Sequence, residues 1–339
     1  MTFEITSNGT INWVATYDGM EPGTLSRTIE YKKNNGEWTS ITSATGSSAP
    51  TISVVSGDTV QFRGDNATYC DINFLSRTRE FSTFQTTCGF KVKGNIMSLI
   101  DSTDFASLTT LTSAYTFYSM FSQCTGLTDA SELLLPATTL ADGCYSRMFD
   151  GCTNLTSAPE LPATTLASYC YNYMFNYCTS LTSAPELPVT TLATFCYDGM
   201  FYGCSSLTTA PELPATTLAE SCYNGMFRGC TSLTTAPELP ATTLARNCYA
   251  NMFTNCSSLT AAPVLPVTTL AEACYSNMFN SCTNLNYIKC LATDISASNC
   301  TQNWVYGVAS SGTFVKNPAM SSWTTGTSGI PDNWTVQDA

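Results

Sequence analysis

The chain has 339 residues, enough for two domains of ordinary size or one elongated repeat array. Apolar residues make up 43% and charged residues only 11%, so Thr, Ser and Asn must supply most of the surface polarity. Histidine is absent, which excludes His-ligated metals, Ser-His and Cys-His dyads and imidazole acid-base chemistry; 13 basic against 25 acidic residues leave a formal charge of −12, the wrong sign for a nucleic-acid or anionic-membrane binder.

In chain order, residues 1–88 alternate in the manner of strands, the best candidates being Ile11–Tyr17, Thr28–Tyr31, Ile52–Val55 and Thr59–Phe62. Asn35-Gly36 is a hairpin signal, because both turn positions require positive φ. The expectation is an all-β sandwich, immunoglobulin-like or fibronectin-like. Residues 89–126 read as an N-terminal cap, with a strand in Gly89–Ile100 and an irregular first unit behind it.

Residues 127–285 are repetitive. Met-Phe recurs at Met120, Met148, Met174, Met200, Met226, Met252 and Met278, with one spacing of 28 and five of 26. That period lies within the range of leucine-rich repeats. One unit runs from Leu155 to Ser180. Its first part, Leu155-Thr-Ser-Ala158, is closed by Pro159 and Pro162, which lack the N–H that a ladder needs, so any strand there is short. In its second part Ala167, Cys170, Tyr171, Met174, Phe175 and Cys178 fall at offsets 0, 3, 4, 7, 8 and 11, the apolar stripe of an amphipathic helix. The expected fold class is therefore an α/β leucine-rich repeat solenoid, with a short parallel strand plus a helix per repeat, stacked into one continuous core.

Residues 286–339 read as a C-terminal cap, with strands in Tyr287–Leu291 and Gly312–Lys316. Trp304, Trp323 and Trp334 are expected to pack inside it as large hydrophobes rather than form a carbohydrate platform.

Met174-Phe175-Asn-Tyr-Cys178-Thr-Ser-Leu181 and Met200-Phe201-Tyr-Gly-Cys204-Ser-Ser-Leu207 resemble the Phe-x-x-Cys-x-x-Leu repeat of BspA-like leucine-rich repeat proteins, over about residues 96–300. The resemblance implies display on a bacterial surface and adhesion to host proteins or other cells; similar arrays occur in gut-phage gene products. The Leu-Pro turn here is longer than in the shorter BspA unit. The start, Met1–Thr6, lacks the basic and apolar regions of a signal peptide, and no stretch approaches the roughly 18 apolar residues of a membrane helix. The expected location is extracellular, on a bacterial cell or virion surface, without membrane insertion.

Of 17 cysteines, 13 form two columns, Cys144 to Cys274 and Cys124 to Cys282. Within a unit the two are eight residues apart, about 12 Å along a helix and beyond the roughly 7 Å reach of a disulfide. Reduced core thiols are favoured over scattered disulfides, and no C-x-x-C pair suggests zinc. Glu132, Glu160, Glu186, Glu212 and Glu238 form an acidic column that ends in Val264. It reads as an exposed turn position, with calcium capture as the lesser reading. Five equivalent copies do not single out the one carboxylate pair a glycosidase needs.

The positions that vary between units are the two residues before each Cys-Tyr, each Met-Phe and each following Cys. Of 36 such positions from the Met148 unit to the Met278 unit, 23 are Asn, Gly, Ser or Tyr, and none is the Lys, Gln or Leu that an exposed helix would favour. This is the vocabulary of adaptable binding surfaces, and it is also that of distorted helices. On the first reading Tyr169, Tyr173, Tyr177, Phe195, Tyr202, Arg228 and Asn251 are the candidate binding residues. The Thr-rich strand face is the second candidate. No catalytic constellation, metal site or cofactor is expected. The chain reads as a non-enzymatic adhesion protein for a protein or glycan on a cell surface; the alternative is a phage fibre or decoration subunit that packs on neighbouring virion subunits.

Overall fold

The computed structural model describes residues 1–18, 25–73, 78–321 and 323–339, in two compact units, Met1–Thr164 and Thr165–Ala339. In the first unit lie β1 (Thr2–Ile5), β2 (Gly9–Asp18), β3 (Thr28–Lys33), β4 (Thr39–Thr42), β5 (Thr51–Val54), β6 (Thr59–Gly64), β7 (Cys70–Asn73), β8 (Thr78–Thr86), β9 (Phe90–Asn95) and β10 (Leu127–Leu134). Two sheets, β10-β9-β1-β6-β3-β4 and β5-β2-β8-β7, share an aromatic core. Phe84 of β8 meets Phe3 at 5.0 Å and Phe62 at 4.8 Å. Strand β9 pairs antiparallel with β1 and parallel with β10, so one sheet carries the chain from the hairpins into the first repeat. Phe84 also stacks on Phe121 at 5.8 Å, and Phe121 on Phe149 at 5.4 Å, which starts a phenylalanine column.

The expected α/β architecture is overturned: among the described residues there is no α-helix, and only three short 3₁₀ turns occur. The segments read as helices are chains of overlapping turns. In the Met174 repeat the N–H groups of Cys170, Asn172, Met174, Asn176 and Cys178 each bond the carbonyl three residues back, at 3.1–3.3 Å. The intervening amides of Tyr169, Tyr171, Tyr173, Phe175 and Tyr177 bond carbonyls of the next repeat at 2.7–3.1 Å. Tyr169, Tyr173 and Tyr177 have φ of 59°, 52° and 53°, so every fourth residue is left-handed, as at the third position of a type II turn. The physical reason is spacing. Packed helices stand about 8–10 Å apart. Here Tyr197 stacks on Tyr223 at 5.9 Å and Phe201 on Phe227 at 5.8 Å, with nearly parallel planes, and no helix fits into that rise.

The prolines decide where strands form. Where the Pro-x-Leu-Pro motif is absent, regular strands appear: β10 in the first unit, and β11 (Tyr287–Cys290) in the second, which pairs parallel with β12 (Thr313–Lys316) and through it with β13 (Thr335–Asp338). In the repeats between Leu181 and Val267 only isolated parallel bridges survive, such as Ser183 to Thr209 to Thr235 and Thr191 to Thr217 to Thr243. Thr side chains assist: the Thr208 hydroxyl donates to the Thr182 carbonyl and that of Thr242 to the Thr216 carbonyl, each at 3.4 Å.

All 17 cysteines are buried thiols. In one column Cys204, Cys230 and Cys256 donate Sγ–H at 3.1 Å to the carbonyls of Phe175, Phe201 and Phe227, each in the repeat before. Trp304 closes the second unit beneath Tyr275 and Phe279, with its Nε1–H donating to the Gly329 carbonyl at 2.8 Å. Trp323 stacks on Trp304 at 5.8 Å, and Trp334 Nε1–H donates to the Ala309 carbonyl at 2.8 Å.

Three outcomes are expected. A Cβ on Gly199 would lie 2.4 Å from the Tyr173 ring, whereas Gly225, with the same φ of +60°, faces open space. Gly199→Ala should therefore lower the unfolding free energy by about 1–3 kcal/mol and Gly225→Ala by less, as read from denaturant midpoints. Burial pushes thiols such as Cys204 and Cys282 up to about 12, so iodoacetamide at pH 8 should leave the mass of the native chain unchanged and label its 17 cysteines only in denaturant. The Met1 amine, which donates to Ser98 Oγ at 2.7 Å, is pulled down by burial from 8.0 to about 6. Between those values the unfolded chain binds more protons than the native one, so stability should rise by about 2 kcal/mol from pH 6 to pH 8, measurable as a climbing melting temperature.

Candidate binding surface

The turn chains place the variable residues. From Gly143 to Ser281, the second residue of every variable pair is at positive φ, and these include all six glycines and four of the eight asparagines counted at the variable positions. Those glycines and asparagines are explained by backbone conformation, since they occupy the left-handed region at least cost. Much of the composition that suggested a binding vocabulary is thereby structural.

The aromatic residues are not explained that way. Tyr169, Tyr173, Tyr177 and Phe195 hold the left-handed conformation where the Met226 repeat uses Ser221, Gly225 and Gly229 and the Met252 repeat uses Asn247, Asn251 and Asn255. A bulky side chain there costs roughly 1–2 kcal/mol. Tyr169 stacks on Phe195 of the next repeat, with centroids 4.7 Å apart and planes 6° off parallel. Tyr173 and Tyr177 lie across Gly199 and Gly203, whose missing side chains leave room for the rings. Tyr202 then contacts Tyr177 edge-on at 5.2 Å and Tyr173 at 6.5 Å, and the Arg228 guanidinium sits 5.3 Å from the Tyr202 ring in a cation–π contact. Tyr169 is 37% and Tyr177 49% exposed, while Tyr173, Phe195, Tyr202 and Arg228 are half-buried.

Six of the seven candidate residues thus fall into two contacting groups, a Tyr169–Phe195 stack and a Tyr173–Tyr177–Tyr202–Arg228 cluster. Asn251 joins neither. Its Nδ2 donates to Asn224 Oδ1 at 3.1 Å, Asn224 Nδ2 donates to Asp198 Oδ1 at 2.8 Å, and Asn172 Nδ2 reaches Asp198 Oδ2 at 2.7 Å. Asp198 is buried, so this side-chain ladder bonds repeat to repeat. The ladder and the glycine seats were missed in the sequence. The signal for the seats was present, since Tyr173 and Tyr177 are followed at the same position of the next unit by Gly199 and Gly203.

Elsewhere, Glu186, Glu212 and Glu238 are exposed, each beside Pro and Leu. The Thr-rich bridge positions, Thr190-Thr191, Thr216-Thr217 and Thr242-Thr243, are exposed as well. Among the described residues no group of three or more Cys, Asp or Glu side chains is placed to hold a metal ion.

The family model described as BspA type Leucine rich repeat region matches residues 101–234 and 194–303, in 6 copies. None of the curated proteins compared matches the chain. The matched residues, 101–303, make up more than half of the sequence and contain the Met-Phe-x-x-Cys-x-x-Leu core described above, and the chain belongs to the BspA-type leucine-rich repeat family.

Proposed function

We propose that this chain is a non-enzymatic binding protein, displayed on a bacterial surface, that adheres to a protein or glycan partner through the aromatic residues of its Met174 and Met200 repeats. Membership of a repeat family associated with binding and adhesion supports the general class. The observation that carries the specific site is the set of tyrosines held at positive φ, half-exposed, at positions where the other repeats mostly use Gly or Asn. Strained conformations persist where something other than folding retains them, and they cluster at ligand sites. Tyr supplies rigid contact area at small entropic cost, and the pre-stacked rings are already ordered before a partner arrives.

The test exploits the same backbone. Tyr169→Gly with Tyr177→Gly suits the left-handed φ, so the variant should fold while losing its contact area; Met174→Ala instead removes a fully buried side chain and should cost about 2–5 kcal/mol of stability. On a glycan array and a panel of extracellular-matrix proteins, the wild-type chain should bind a defined subset and the double glycine variant should lose at least about tenfold in affinity for it. Equal binding by the two proteins would remove the tyrosines from the site.

A further inference from the structure

Three Pro-Glu-Leu-Pro segments of the second unit, Pro185–Pro188, Pro211–Pro214 and Pro237–Pro240, carry a second surface, and the fourth copy has Val264 in place of the glutamate. Ser183, Thr209 and Thr235 are bridged in parallel, which brings Glu186, Glu212 and Glu238, three residues further on, into one column. Between successive segments run shallow grooves. One of about 300 Å³ lies between Pro211–Pro214 and Pro237–Pro240, and another of about 360 Å³ between Leu187, Pro188 and Pro214. The first groove is walled mostly by proline and leucine carbon, whereas the second is lined by Glu186 and Glu212 as well as by Leu187, Pro188 and Pro214; exposed carboxylates stand at both rims.

The column is uncompensated. Among the described residues none of the three glutamates pairs with Lys or Arg, whereas the nearby Glu220 and Glu272 both face Arg246, at 3.8 and 3.5 Å. Carboxylates at a strand-like spacing of about 4.8 Å repel each other by about 1 kcal/mol in water. A folding requirement does not explain why these three repeats keep exposed acids in line. An apolar floor with an acidic rim is complementary to a segment that offers aliphatic side chains between ammonium or guanidinium groups. Proline rings also keep the groove walls from pairing with one another as a regular strand would, which leaves the surface open to a partner chain.

From this complementarity we infer that the Glu186–Glu212–Glu238 face docks an extended, lysine- or arginine-bearing polypeptide segment of a partner protein. The inference goes beyond the aromatic site and does not depend on it. Fluorescence anisotropy with the full chain and two labelled twelve-residue probes, alternating Lys-Val and alternating Lys-Gly, tests it. The Lys-Val probe is expected to bind more tightly than the Lys-Gly probe. Three exposed pairs at about 0.5 kcal/mol each correspond to about a tenfold weakening in E186Q/E212Q/E238Q. The variant E220Q/E272Q/D332N removes the same net charge and should change binding by less than about twofold. Tyr169→Gly with Tyr177→Gly should leave probe binding intact, so loss of one surface is distinguishable from loss of the other. Equal weakening by the two charge triples, equal affinity for the two probes, or displacement of the probe by micromolar calcium would each overturn the assignment; so would loss of binding in the tyrosine variant.

Discussion

The structure depends on a division of labour among peptide N–H groups. Along each turn chain they alternate, one closing a turn within the repeat and the next reaching a carbonyl of the following repeat. That alternation satisfies the backbone on both counts and fixes the rise at a strand-like value. The rest follows from the rise. Rings repeating every 26 residues must stack nearly face to face, as Tyr171 does on Tyr197 with planes 2° apart. In one column small cysteines such as Cys204 fit under a phenylalanine carbonyl, and the thiols of both columns are buried. A helix uses nearly all its amides internally and has none left to set such a spacing.

The period, the core columns and the family were legible in the sequence because they rest on identity at fixed spacing. The helix was not real because the apolar pairs Cys170-Tyr171 and Met174-Phe175, followed by Cys178, repeat every four residues, a period that a segment of twelve residues barely separates from 3.6. Over eight residues a helix drifts about 80°, which would have carried Cys178 away from the face of Cys170. The unvarying four-residue register was the sign against a helix. Glycine and asparagine at every fourth place were the second sign, since Gly143, Gly199 and Asn247 report left-handed backbone before they report adaptability. What survives of the candidate site is the part that this explanation does not reach, namely Tyr169, Tyr173, Tyr177, Phe195, Tyr202 and Arg228.

Invariant and variable positions now carry different kinds of information. The Thr columns repeat because their hydroxyls and bridges join one repeat to the next, as Thr208 does to Thr182. The Pro-Glu-Leu-Pro segments repeat although their prolines forgo ladder bonds and their acids repel. The turn residues differ between repeats although the backbone asks the same conformation of each. Packing accounts for the Thr columns and for the buried leucines of the Pro-Glu-Leu-Pro segments, and the exposed acids and variable turn residues are where contact with another molecule has room to act.

The seating of Tyr173 and Tyr177 on Gly199 and Gly203 gives the array a reading direction at the level of its gene. Tandem copies this similar are prone to unequal recombination. Excision of the Met200 copy alone would bring the rings over Gly225 and Gly229, which again offer no side chain. Excision of the Met200 and Met226 copies together would bring them over Asn251 and Asn255, where the space is filled. Contraction of the tract should thus be tolerated by one copy and penalised by two.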